Sequence, residues 1–494
     1  MKKSLLVLLA GISFLATAQN EYIAYPATGK GVASTFVSDY HCLGINPANL
    51  GWQQYEKKSI TTGSSEFGVS LYSASLAKQD LRDNIWGVIK SGNLDTLTYD
   101  QKKAAAEGFA DDFAFNWDYN MFGFAYQNPK FGGIAVSIRS RASWSSSFTS
   151  EFSDLLFQGS HSDYFDSLQY NDGSGNVSIA NYQNMNPDSA QNVQSGTASI
   201  PLNLSALVGS SNLRLSVNRE YHIGYGRKLL GIDSVFALYL GVGAKYIQGI
   251  AMMDVGTDEN GVLQMYSAFS PGFDLDYGSI ALSNPSTLTR TGEQFFKSSV
   301  GQGWGLDFGA NATFFNKLHI AASVTNIGSI TYTGDVYEAV DTLLVNYSQN
   351  GLEDVDITQS IPEMLEGSGL FKLRGLESKK VVLPGMLRIG ASLELGKFIH
   401  LGAEIIAPFN DVPGSINGFA YGIGGDIKLA GGKVILMTGL TGGGNYATQV
   451  PLGINFCFKE GSYEVGVASR DAVTFFSKNS PTISAAFGFA RFRF

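Results

Sequence analysis

The sequence predicts an all-β protein: a transmembrane antiparallel β-barrel of about 14 strands with an N-terminal plug or hatch and long extracellular loops. Three observations predict it. Segments of strict period-two alternation recur through the chain, short and long connections alternate between them, and the last residues, AFGFARFRF at 486–494, alternate aromatic side chains with arginines. In water such an end would be an exposed, adhesive edge, so it has to be paired. The composition agrees. Among 494 residues, 58 are Gly, 12% are aromatic and only 16% are charged, against about 25% in soluble domains.

The first residues, MKKSLLVLLAGISFLATAQN, combine a basic start, an apolar run from Leu5 to Leu15 and the small triplet Ala16-Thr17-Ala18. This pattern predicts a signal peptide over 1–18, cleaved before Gln19. The run is shorter than the roughly 20 residues a spanning helix needs. Beyond it no 18-residue apolar stretch follows, so any membrane crossing has to be made by strands. The formal charge is −9, or −11 without Lys2 and Lys3, which excludes a nucleic-acid partner on electrostatic grounds. Cys42 and Cys457 could form one bridge in an oxidising compartment; two small buried thiols is the plainer reading.

Residues 19–57 form the expected plug: Gly- and Ala-rich, with no extended period of two. The barrel follows over 58–494. In DDFAFNWDYNMFGFAYQN, Phe113, Phe115, Trp117, Tyr119 and Met121 share one parity, and Asn116, Asp118 and Asn120 the other. A strand sends these sets to opposite faces. Ile134, Val136 and Ile138 similarly oppose Arg139 and Arg141; Trp304, Leu306 and Phe308 oppose Asp307 and Asn311; Leu387, Ile389 and Leu393 oppose Arg388 and Glu394. The predicted strands are 59–76, 111–126, 131–146, 211–228, 234–250, 302–314, 318–331, 385–395, 398–407, 418–429, 434–441, 450–458, 463–472 and 482–494. Their lengths exceed the usual mode of about 5 to 6 residues and suit tilted spans. Tight turns alternate with longer connections, as periplasmic turns and outer loops do in such barrels. The stretch 251–301 could hold one more hairpin and raise the count to sixteen.

A barrel this wide cannot be filled by its own side chains, so its lumen is plugged or wet. Asp118, Arg139, Arg141, Asp307, Arg388, Glu404, Arg491 and Arg493 are expected to face it, with Phe492 and Phe494 facing lipid. The mixed signs can hold a plug by ion pairs or shape a polar channel of weak ion selectivity. Catalytic, cofactor and metal sites are not expected. The five histidines, His41, His161, His222, His319 and His400, have no metal or triad spacing, and 171–176 and 254–261 lack a complete calcium-loop register. The helix-like segment after the first strand, YDQKKAAAEGFADDF, has little apolar stripe and should pack on a neighbouring loop or cap the barrel.

In the plug, Pro47 fixes its own φ and restricts Asn46, while Gly44 and Gly51 allow close approach to the wall. Asn46, Pro47 and Ala48, placed just before the first strand, resemble the turn ending the hatch of FadL-like outer-membrane proteins. With the strand pattern, that resemblance covers nearly the whole chain. LPGMLRIGAS at 383–392, after an acidic insertion at 332–384 with Asp354, Asp356 and Glu363, resembles a Bacteroidota FadL-like family of unknown function, related to PorV and PorQ of the type IX secretion system. The terminal Phe resembles the signal read by the barrel-assembly machinery. The resemblance implies the outer membrane of a Gram-negative bacterium, lipid around the barrel and passage of small apolar molecules. It implies as the alternative a non-transporting barrel that partners a secretion-system or surface-protein assembly. The acidic insertion departs from the transporters and argues against fatty-acid import.

Overall fold

The computed structural model describes residues 24–52, 57–74, 99–171, 173, 175–181, 192–232, 234–273, 275, 277–288, 298–348, 370–444, 446–473 and 481–494. The expected leader, residues 19–23 of the plug, and Asp354, Asp356 and Glu363 lie outside the described residues.

Fourteen strands close the barrel. They are β1 (Ile60–Ser73), β2 (Phe113–Asn128), β3 (Gly132–Ser147), β4 (Asn212–Ile232), β5 (Phe236–Thr257), β6 (Gly301–Phe314), β7 (Leu318–Tyr332), β8 (Met386–Leu395), β9 (Ile399–Pro408), β10 (Ala420–Leu429), β11 (Val434–Gly443), β12 (Leu452–Phe458), β13 (Tyr463–Ser469) and β14 (Thr482–Arg493). Each pairs antiparallel with its sequence neighbours, and β14 pairs with β1 from Thr61↔Arg493 to Tyr72↔Thr482. The aromatic–arginine end is therefore an interior strand of a closed sheet, and its edge is gone. Six tight connections lie at the end of the barrel where Phe494 meets Ser59 and Ile60.

The outward face is apolar. Val242, Ile389, Ile405 and Ile423 are all about half exposed or more. Trp304 packs on Tyr246 across β5 and β6, and ten residues down the same strands Phe314 packs on Phe236. At about 3.3 Å per residue and a tilt near 40°, the two aromatic levels stand about 25 Å apart, the height of a lipid-facing belt. Phe308 points outward midway between them. Phe308→Arg is expected to cost about 2–4 kcal/mol in urea unfolding from phospholipid vesicles, against about 0–1 kcal/mol for Gln302→Arg above the girdle. Equal costs would place the belt elsewhere.

Simple alternation is interrupted by bulges, which the sequence reading did not anticipate. In β2 the register shifts between Asn120 and Phe122, so Phe122, Phe124 and Tyr126 carry the outward face below Tyr119. In β14 the register against β13 shifts between Arg491 and Gly488, beside Ser65 of β1 at φ 57°, and lets Phe487 and Phe489 share the outside with Phe492 and Phe494 despite opposite parity. A bulge adds one residue to one strand and so inverts the phase beyond it.

The candidate extra hairpin in 251–301 does not add spans. Residues Leu263–Phe269 pair with the upper part of β5 and with Val336–Val340, above the membrane belt. There the long connections share a core containing Phe109, Phe113, Trp144, Phe152, Phe157, Met253 and Phe371. A second sheet, built from Ser167–Asn171, Asn176–Ala180, Val193–Asn203 and Leu343–Tyr347, completes this cap. The helix Tyr99–Phe109 packs on the helix Ser150–Gln158 of the next connection, with Ser153 donating to the Ala106 carbonyl at 2.6 Å.

Candidate functional site

The inward face of the barrel is polar and charged, and residues 24–52 lie against it. This segment folds locally for reasons its sequence contains. Pro26 and Pro47 begin short helical turns, where a missing N–H is tolerated. Asn46 is extended, as a residue before proline prefers, and its side chain caps the Ala48 N–H at 3.1 Å. Gly44 adopts φ +75°. Asn49 donates to the Ser34 and Val37 carbonyls at 2.8 Å each, cross-tying the segment.

Three groups of contacts join the segment to the wall. On the β1, β13 and β14 side, Arg491 bridges Asp39 of the segment and Glu464 of β13, the latter at 2.7 Å, and Arg493 bridges the same two carboxylates. Beside them Tyr40 donates to Glu66 at 2.8 Å, His41 lies 2.8 Å from the same oxygen, and Asn120 donates to the other Glu66 oxygen at 2.8 Å. On the β8–β10 side, Glu404 accepts the Ala33 and Ser34 N–H groups at 2.8 and 2.6 Å while Arg388 stands 3.3 Å from it. Lys30 reaches Asp426 at 2.7 Å, and Phe36 stacks on His400 at 4.1 Å. On the β6–β7 side, Asn311 donates to Asn49 at 2.7 Å, Ser323 to the Ile45 carbonyl at 2.6 Å, and Asn46 to the Ala310 carbonyl at 3.2 Å.

Bare glycine wall positions make this approach possible. A Cβ at Gly63 or Gly123 would fall 1.9 or 2.2 Å from Tyr40, and one at Gly424 1.9 Å from the Lys30 carbonyl oxygen. From the segment's side, a Cβ at Gly51 would meet the Arg227 backbone of β4 at 2.8 Å. The wealth of glycine in the sequence is thus partly a matter of lumen volume.

Asp39 is buried with its partners. Burial alone would push its carboxyl up, yet Arg491, His41 and Arg493 hold it below its ordinary value. Burial pushes the Cys42 thiol well above its usual range. Cys42 and Cys457 are both buried and free, so the bridge is not formed.

Among the residues singled out from the sequence, Asp118, Arg139 and Arg141 come together on β2 and β3, where Arg139 lies 3.1 Å from Asp118 and Arg141 also reaches Glu220. Asp307 faces Lys245 at 3.5 Å and accepts the Asn326 N–H at 2.8 Å. Arg388 with Glu404, and Arg491 with Arg493, sit in the groups above. Phe492 is outward and stacks on Tyr463 at 5.1 Å; Phe494 is two-thirds exposed. Asp258 spends its side chain on the Asn260 and Val262 N–H groups, which is turn chemistry. Glu464 was missed although alternation in YEVGVAS places it inward; Asp39 and Lys30 lie in a segment without a period, where only the fold assigns partners. No group of three potential metal ligands occurs among the described residues.

Among the described residues, cavities along the lumen include the following three. One of about 60 Å³ beneath the cap is lined by Val69, Trp117, Asp118, Arg141, Pro384 and Arg470, among others. One of about 20 Å³ lies between the segment and Glu66, Asn120, Ser137 and Arg139. The third, about 900 Å³, opens at the short-turn end, where Asn316, Gly431 and Glu460 line it with His319, His400 and Arg491. A separate cleft of about 50 Å³ lies in the cap between Phe269, Leu275, Tyr277, Leu288 and Tyr337.

The model of a family of unknown function (DUF5723) matches residues 180–412. Among curated proteins none matches this chain. Solved structures similar to it include a deletion mutant of the monoaromatic hydrocarbon channel TodX, at 10% identity and TM-score 0.45, covering 97% of this chain and 99% of that one. The toluene transporter TodX of Pseudomonas putida, at 10% identity, has a TM-score of 0.41 with the same coverages. The toluene transporter TbuX of Ralstonia pickettii, at 9% identity and TM-score 0.41, covers 95% of this chain and 98% of that one. At these scores the architecture of this chain rests on its own strand pairings.

Proposed function

We propose that this chain is a plugged outer-membrane barrel that admits small apolar molecules, with residues 24–52 as the plug and the capped end outside the cell. The observation that carries the reading is the aromatic cleft in the cap. Phe269, Leu275, Tyr277 and Tyr337 surround it, and the Tyr277 and Tyr337 rings stack at 4.1 Å. At about 50 Å³ the cleft is smaller than the about 150 Å³ that holds a benzene ring, so a small flat hydrocarbon seats there only as the Tyr277–Tyr337 stack parts. The lumen below is blocked by a segment that only non-covalent contacts hold, as a displaceable plug requires.

Entry of radiolabelled toluene into cells is the test. Deleting the protein should slow entry at low external concentration, and Ala281→Trp, which fills the cleft, should match the deletion while leaving the heat-modifiable gel mobility of the folded barrel intact. Equal entry with and without the protein would end this reading. The second reading, a barrel that docks a type IX secretion or surface-protein assembly, would draw on exposed apolar side chains of the cap sheet such as Ile200, Leu343 and Val345. It predicts co-purification of a partner and no dependence on Ala281.

A further inference from the structure

We propose a second, polar route: water and small inorganic ions pass the plug along the inner wall of β1–β3, and the Tyr40–His41 clamp on Glu66 is its constriction. This inference is independent of the apolar cleft and concerns a different class of solute.

The route is drawn by the cavities and by what lines them. The upper cavity ends at Asp118 and Arg141; the middle one begins at Arg139, which is bonded to Asp118, and is closed below by Tyr40 and His41. His41 also lines the wide vestibule at the short-turn end, so the middle space and the open mouth share this side chain. The middle cavity, about 20 Å³, has room for about one water, since a single probe sphere needs roughly 10–15 Å³.

Unsatisfied atoms occur on several walls, at Asn311, Thr325, Asp426 and Thr441 among others, and four of them adjoin the upper and middle cavities. Asp118 Oδ1, Asn120 Oδ1, Ser137 Oγ and Arg139 Nε are buried and have no hydrogen-bond partner in the protein. All four belong to residues of β2 and β3 that line the upper or the middle cavity. Buried polar atoms of this kind are costly unless solvated, and adjoining polar cavities are where solvation can be supplied. On other walls the backbone of the segment lies against glycine. On β10 and β11 the Lys30 and Gly31 carbonyls would lie 1.9 to 2.3 Å from a Cβ at Gly422, Gly424 or Gly439, and on β4 and β5 the Pro47 backbone does the same at Gly226 and Gly241. There the plug lies directly on the wall backbone.

Carboxylates and guanidinium groups alternate along the path, so it should show little preference between cations and anions. In the closed state the clamp leaves a file too narrow for a hydrated ion. Removing the two clamp side chains should open it.

The full-length protein in planar bilayers bathed in potassium chloride provides the test. Tyr40→Ala combined with His41→Ala should raise single-channel conductance about tenfold or more over the parent, with weak ion selectivity. Adding Ser137→Trp, which fills the middle cavity, should return it to the parent level. Val177→Ser, on the outer surface of the cap sheet, should leave conductance unchanged. Heat-modifiable mobility establishes that each variant is folded. The proposal is overturned if the folded double variant conducts no more than the parent, if Ser137→Trp fails to block it, or if Val177→Ser raises conductance equally.

Discussion

Arg491→Ala is expected to be the most damaging single substitution inside the barrel, costing about 3–5 kcal/mol, because it strips a buried cation from two buried carboxylates. Arg491 is 5% exposed and its side chain bridges Asp39 of the N-terminal segment, the proposed plug, to Glu464 of β13. Arg493 also reaches both carboxylates but cannot neutralise two negative charges alone. Their repulsion should drive Asp39, the member not fixed in the sheet, off the wall. The measurement is urea unfolding of the refolded barrel together with protease protection of residues 24–52. A lower midpoint with lost protection is expected, and Asp39→Asn in the same background should restore part of the stability by removing one unpaired charge. Full protection in Arg491→Ala would mean that the other two contact groups hold the plug unaided.

Gly424→Val should release the plug from the opposite wall. Even the first carbon of the new side chain would stand 1.9 Å from the Lys30 carbonyl oxygen, which is backbone and cannot rotate aside. Overpacking of this kind costs about 1–3 kcal/mol and sometimes more. Here the cheapest relief is withdrawal of the plug, which also breaks the Lys30 contact with Asp426 at 2.7 Å. Lys30 is 7% exposed in the native fold, so trypsin cleavage after it reports the change directly. Rapid cleavage in the variant and none in the parent is expected. An uncut variant would show that the strand, not the plug, has moved.

Both substitutions act where sequence and tertiary structure contributed differently. Alternation is a local property: in LPGMLRIGAS it places Arg388 inward and Ile389 outward whatever surrounds the strand, so the order of the spans and the closure through β14 were legible in the chain, and their number to within one hairpin. The bulges at Asn120–Phe122 and near Ala490 were not, since an added residue changes the phase without changing the composition. The cap was only partly legible, because Leu263–Phe269 has the alternation of a span and its placement above the belt depends on pairing with Val336–Val340.

By itself, then, the sequence determined a closed lipid-embedded cylinder with charged residues inside, because period two is decided between neighbours in the chain. Only the tertiary structure decided which of those charges meet. Asp39 and Arg491 are 452 positions apart, and nothing in either neighbourhood encodes the other. Their meeting follows from ring closure, which brings the last strand beside the first, and from bare glycine backbone that lets residues 24–52 lie against the wall.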